Sequence, residues 1–187
     1  MKRVVLPIML LTSASLLNAT TNKEIKQEAK SAIMKMGGTL KSHMKQNMKA
    51  GGPVQAAGFC LQEASEIAKK VNSNYPKGVS VKRISLKYRN PANKPTADEA
   101  QVLKAIQTNV NAHKTVPKMI VKKLAKNSYK VYKPIFMNKG VCLTCHGDAT
   151  VRNPEAYKLI QAKYPHDKAI GYKKGDFRGA FVVTILK

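Results

Sequence analysis

Residues 79–111 read VSVKRISLKYRNPANKPTADEAQVLKAIQTNVN. The first ten are rich in β-branched side chains, and they predict a strand from Val79 to Tyr88. Arg89 to Pro95 holds two prolines and two asparagines, so the chain must leave the strand there in a loop. Thr96-Ala97-Asp98-Glu99 then has the spacing of a capping box. It opens a helix over 97–111 with Ala100, Leu103, Ile106 and Val110 turned inward. A strand, a proline-punctuated loop and a capped amphipathic helix in one run point to an α+β domain.

Working outward, Ile25, Ala29, Ile33, Met36, Leu40 and Met44 recur at helical spacing and predict a long amphipathic helix over 23–49. Gly37-Gly38 is expected to bend or fray it, and Gly51-Gly52-Pro53 to break it. A second helix follows over 54–72, with Val54, Ala57, Cys60, Leu61, Ala64, Ile67 and Val71 along one buried stripe. Asn74, Pro76 and Gly78 mark a turn. Residues 113–127 fit helix or strand, and Tyr129–Met137 reads as a strand. Asn153-Pro154 starts a short helix. Phe181–Leu186 is an apolar run expected as a buried strand after the turn-rich 171–179. The sum is an antiparallel sheet beside long N-terminal helices.

Of 187 residues, 34 are Lys or Arg and 10 are Asp or Glu, a formal net charge of +24. Hydrophobic residues at 43% suffice for a core and exclude wholesale disorder. Three cysteines exclude a disulfide-dense mini-fold. Lys2 and Arg3 precede an apolar stretch from Val4 to Leu17, and Leu17-Asn18-Ala19 suits a cleavage site. That is the layout of a signal peptide over residues 1–19, and the stretch is short for a spanning helix. Export to the periplasm argues against nucleic acid as the partner of the positive charge. An acidic redox or signalling protein, or an anionic membrane surface touched peripherally, fits better.

Residues 142–146 read Cys-Leu-Thr-Cys-His. This is the attachment motif of c-type haem. Two thiols one helical turn apart can each form a thioether to one edge of a porphyrin, and the adjacent imidazole is then carried beneath the iron. A zinc site would need further ligands from Cys60 or distant histidines. A thioredoxin-like pair would leave the histidine without a role. The reading is therefore one covalent haem c held by Cys142 and Cys145, with His146 as axial ligand. Its second ring nitrogen is expected to donate to a backbone carbonyl. For the other axial position the sequence offers Met34, Met36, Met44, Met48, Met119, Met137, His43, His113, His166 and Cys60.

Arg83–Pro95 (RISLKYRNPANKP), Tyr132–Asp148 (YKPIFMNKGVCLTCHGD) and Tyr164–Val183 (YPHDKAIGYKKGDFRGAFVV) together resemble a family of exported monohaem c-type proteins with a PAS-like fold. The resemblance spans residues 54–186 and sets them apart as the haem domain, 54–187, behind an N-terminal helical segment, 20–53. It implies a haem-based sensor. It also implies an iron-ligating cysteine on a helix well before the haem motif, a place only Cys60 can take. The chain stops soon after its last strand, so a sensor role would need a separate partner.

Three functions compete. A redox or gas sensor with His/Cys-ligated iron comes first. A small electron-transfer cytochrome with His/Met or His/His ligation is the alternative. A small peroxidase would need an acid–base residue at an open iron, and no paired carboxylates or triad pattern suggests one, so the expectation is no enzyme. Arg83 and Arg89 are candidates to pair with haem propionates. Tyr132 and Tyr164 are candidate pocket walls. Most of the aromatic residues lie between Tyr129 and Phe181, around the motif.

Overall fold

The computed structural model describes residues 13–187, with side chains from Asn22 onward. Residues 1–12 of the expected signal segment lie outside the described residues. In chain order come α1 (Ser13–Gln62), α2 (Ala64–Ser73), β1 (Val79–Ile84), a 3-10 turn (Pro91–Asn93), α3 (Ala97–Asn111), β2 (Ile120–Ala125), β3 (Ser128–Phe136), α4 (Gly140–His146), α5 (Pro154–Lys163) and β4 (Phe177–Leu186). The four strands form one antiparallel sheet in the order β1-β4-β3-β2. No described helix is long and apolar enough to cross a membrane.

The register explains the two cores. Val81, Val183 and Val131 are aligned across three strands, and so are Lys82, Val182 and Tyr132. Side chains alternate faces along a strand. The valine row therefore meets Ile25, Ile33 and Met36 of α1 on one face. Tyr132 and Val182 meet Leu103 and Ile106 of α3 on the other. The residues 25–40 of α1 thus share a core with the sheet.

Gly37 does not bend α1. A side chain there would lie 2.9 Å from the ring of Phe181, so glycine is the residue that lets the sheet's phenylalanine reach the helix. The break falls instead at Gly51 and Gly52, whose backbone is non-helical, with Gly52 at φ 67°. Beyond it residues 53–73 run on almost as one helix, because Glu63 N–H donates to Phe59 O and Ile67 N–H to Glu63 O. The segment 113–127 resolves as β2, joined to β3 by a short hairpin. β1 ends at Ile84, earlier than Tyr88, and β4 begins at Phe177, earlier than Phe181.

The capping box is realised as expected, with the Glu99 carboxylate accepting the Thr96 N–H at 3.1 Å. The same carboxylate takes Lys82 at 2.9 Å and Lys130 at 3.1 Å, so it bolts α3 to two strands. Glu99 is only 1% exposed. Burial alone would raise its carboxyl, but the Thr96 backbone N–H and the two lysines hold it below the ordinary value. As pH falls the unfolded chain then takes its proton first. The stabilisation is whole well above the ordinary value of about 4.3 and is lost as pH drops through the lowered folded value. Glu99→Gln is expected to cost about 2 kcal/mol at pH 7, with Lys82 half-exposed and able to rehydrate. The cost should shrink towards pH 4. Urea denaturation at both pH values measures this, and a pH-independent difference would remove the role.

Candidate functional site

The Cys-Leu-Thr-Cys-His run forms α4, a helix of two turns that starts after the extended Lys139. A helix end leaves its last carbonyls without partners, and here each finds one. Leu143 O accepts Gly147 N–H at 2.8 Å, and Thr144 O accepts Asn153 N–H at 2.9 Å. Cys145 O accepts the Arg89 guanidinium at 2.6 Å. His146 O accepts Tyr172 N–H at 3.0 Å. Gly147 is required by space, since a Cβ there would sit 2.7 Å from Leu143 O. Guanidinium donors at the helix C-terminus also oppose its negative dipole end.

α4 is wedged between two small cores. Cys145 packs with Ala57 of α1 and Ala156 and Ile160 of α5. Cys142 packs with Met137, Ala169 and Tyr172. Asn153 caps α5 by accepting the Ala156 N–H at 2.8 Å, which holds that helix against Cys145. Both thiols are unpaired and half-buried.

The half-buried His146 ring is fixed from behind. Its Nδ1 lies 2.7 Å from Ala169 O, so Nδ1 carries the proton and donates it. The Nε2 lone pair is thereby left to act as a ligand. Arg89 Nη2 stands 3.4 Å from the same Nδ1. Burial, then Arg178, Arg89 and Arg83, all push the imidazole well below its ordinary pKa, and the Ala169 bond opposes them only in part. The ring is held neutral, as a metal ligand must be.

Arg89 is the strut of this arrangement. Its Nε donates to Asp167 Oδ2 at 3.0 Å, and Asp167 Oδ1 accepts the Ala169 N–H at 2.8 Å. One buried ion pair therefore places the carbonyl that orients His146. Two of its nitrogens are thus engaged, Nε by Asp167 and Nη2 by Cys145 O. Arg83 differs. It extends from the α1 face of β1, beside Cys60, and no carboxylate among the described residues pairs with it. Burial lowers its pKa and Cys60 opposes that. An accessible guanidinium that is nevertheless desolvated and unpaired fits an anionic group such as a propionate.

Cys60 is exposed, off the packed stripe on which periodicity places it. The stripe is satisfied by its neighbours Ala57, Leu61 and Ala64, and Cys60 turns towards Arg83 and Cys145. Burial raises its thiol pKa, with Arg83 opposing. Tyr132 is fully buried on the α3 face of the sheet, in the core it shares with Leu103 and Ile106. Burial pushes its hydroxyl up to about 12. Tyr164 caps the end of α5 and is half-buried, and its loop rather than its ring serves the site, through Asp167 and Ala169.

Two residues were not singled out from the sequence. Tyr172 meets His146 edge to face at 6.3 Å. Arg178 occupies a β-bulge, since Ile135 pairs with Gly179 and Phe136 with Phe177. The bulge swings its guanidinium to Ser85 Oγ at 2.6 Å and Lys87 O at 3.0 Å. Only a bulge in the paired register brings it there, and no local pattern announces that. No group of three or more His, Cys, Asp or Glu among the described residues is arranged to hold a metal ion.

Fold and site define a PAS-like α+β protein whose sheet backs a helix-borne Cys-x-x-Cys-His. The chain belongs to the Tll0287-like family, whose model matches residues 18–185. It is similar to the crystal structure of the cyanobacterial haem protein Tll0287, at 26% identity and a TM-score of 0.64. The match covers 88% of this chain and 96% of that one. No curated protein matches.

Proposed function

We propose that the chain is an exported haem protein with one covalently held haem c, and that it works as a redox or gas sensor. The residues fit the group. Cys142 and Cys145 would carry the thioethers, His146 Nε2 would take one axial position and Cys60 the other, and Arg83 would face a propionate. The iron supplies a centre whose charge changes by one on reduction and which takes small gaseous ligands. The observation that carries the reading is the neutral His146, its Nδ1 proton tied to Ala169 O and its Nε2 lone pair left over.

The chain's own part is to hold that ring and to respond. Cys60 lies on residues 53–62, just past the Gly51-Gly52 break. Gly52 has a left-handed backbone that glycine adopts without strain, and it sets the direction in which residues 53–62 carry Cys60. His43 is stacked on Phe59 at 5.5 Å. Met137 packs with Ala169, behind the imidazole. Neither placement favours the His/His or His/Met electron carrier. The net charge of +24 suits an acidic signalling or redox partner, or an anionic membrane surface, in the periplasm.

Absorption and electron paramagnetic resonance spectra of wild type and Cys60→Ala test the reading. The ferric wild type should show thiolate ligation, and the variant should lose it with a raised midpoint potential. A ferric spectrum unchanged by Cys60→Ala would refute the His/Cys assignment.

A further inference from the structure

A cleft of about 300 Å³ opens between the end of β1, the last turn of α3 and the start of β4. Its chemistry is that of a recognition site. Lys87 and Arg178 bring two cations, Ser85 a hydroxyl, and Gln107 and Asn111 two amides, while Tyr172 and Phe177 give apolar surface. Asp176 also lines it, but one of its oxygens already accepts the Lys173 N–H at 2.7 Å.

The cations are positioned without carboxylate partners. Lys87 lies over the Tyr172 ring at 4.4 Å and donates to Ile170 O at 2.5 Å. Arg178 gives one nitrogen to Ser85 and Lys87 O and also lies over Tyr172, at 5.4 Å. No carboxylate forms an ion pair with either among the described residues. Surrounding protein desolvates Arg178 enough to lower its pKa. Arg178 therefore keeps donors unspent on protein that an anion can use. On the opposite wall, Gln107 donates to Asn111 Oδ1 at 2.8 Å, which leaves the Asn111 N–H groups and the Gln107 carbonyl for a ligand.

We propose that this cleft binds a small organic carboxylate of about the size of succinate or citrate, clamped by Arg178 and Lys87 and read at its far end by Gln107 and Asn111. Inorganic anions match the cations but carry no second functional group for the amides. None of Cys142, Cys145 and Cys60 lines the cleft, which meets the haem reading through Tyr172, edge-on to His146, and through the charge of Arg178.

Isothermal titration calorimetry of the full chain as purified from a maturation-competent host tests this, with sodium succinate and sodium citrate as probes. Sodium chloride and sodium sulfate at matched ionic strength are the controls. At least one probe should bind one to one with a Kd below about 1 mM. Arg178→Gln should weaken it about tenfold or more. Asn111→Leu, on an exposed helix end where folding is safe, should weaken it several-fold. No saturable heat from either carboxylate, equal heat from sulfate, or affinity untouched by Asn111→Leu would overturn the site. Calorimetry reads binding whether or not the protein is coloured, so loss of the haem reading and loss of this one are separable. Should a propionate of attached haem occupy Arg178, the coloured protein would refuse both probes, which also overturns the proposal.

Discussion

Cys142→Ala/Cys145→Ala protein, made in a host that matures c-type cytochromes, should come out with little or no pigment. Any colour it carries should pass entirely into acidified organic solvent. Wild type should keep its pigment in the protein phase under the same extraction, because a thioether is a covalent bond that denaturation does not break. The single variants should keep colour with a shifted alkaline pyridine spectrum, since one vinyl group then stays unreacted. The size of the effect follows from geometry. The two thiols sit one turn apart on a seven-residue helix whose free carbonyls are all tied to α5, Arg89 and the 171–172 backbone. That scaffold fixes both cysteines on one short helix, and no other cysteine lies on α4 to replace either. Pigment that leaves wild type on extraction, or stays in the double variant, would dismiss covalent attachment.

The site was legible in the sequence where its residues are consecutive, and illegible where folding gathers them. Cys142, Cys145 and His146 sit within five positions, so spacing alone carried them. Asn153-Pro154, Thr96-Glu99 and Gly51-Gly52-Pro53 were likewise readable, because caps and breaks are settled by local backbone chemistry. Cys60 was not. Helical periodicity placed it on the buried stripe, yet seven apolar positions over nineteen residues overfill one face, and tertiary packing chose which of them to leave out. The face that Tyr132 takes was illegible for a related reason. The alternation of β3 told which residues share its face, but not which face α4 would approach. Arg178 depended on a one-residue bulge between β3 and β4, set by pairing across the sheet. Gly37 was read as a weak point of the helix when its lack of a side chain serves Phe181. Arg89 could be read as a propionate partner or as a surface charge flanking a turn, because its partner Asp167 stands far along the chain.

That strut makes the second large prediction. Arg89→Ala leaves the Asp167 carboxylate, 1% exposed, buried beside nothing that neutralises it. Breaking one side of a buried pair costs about 3–5 kcal/mol. The loss also reaches the iron site, since Asp167 holds the Ala169 N–H and Ala169 O holds His146 Nδ1. Arg89→Lys should rescue little, because an ammonium cannot bond both Asp167 and Cys145 O in the fork geometry that Arg89 uses. Asp167→Asn in the Arg89→Ala background should recover part of the stability, so that the double variant is less damaged than the sum of the singles by about 1 kcal/mol or more. A role confined to stability would leave the spectrum of the folded fraction alone. The positioning role requires that Arg89→Ala, at a denaturant-free temperature where it remains folded, broadens the ferric signals as His146 takes more than one orientation. Additive stabilities within about 0.5 kcal/mol, with an unaltered ferric spectrum, would reduce Arg89 to an ordinary loop residue.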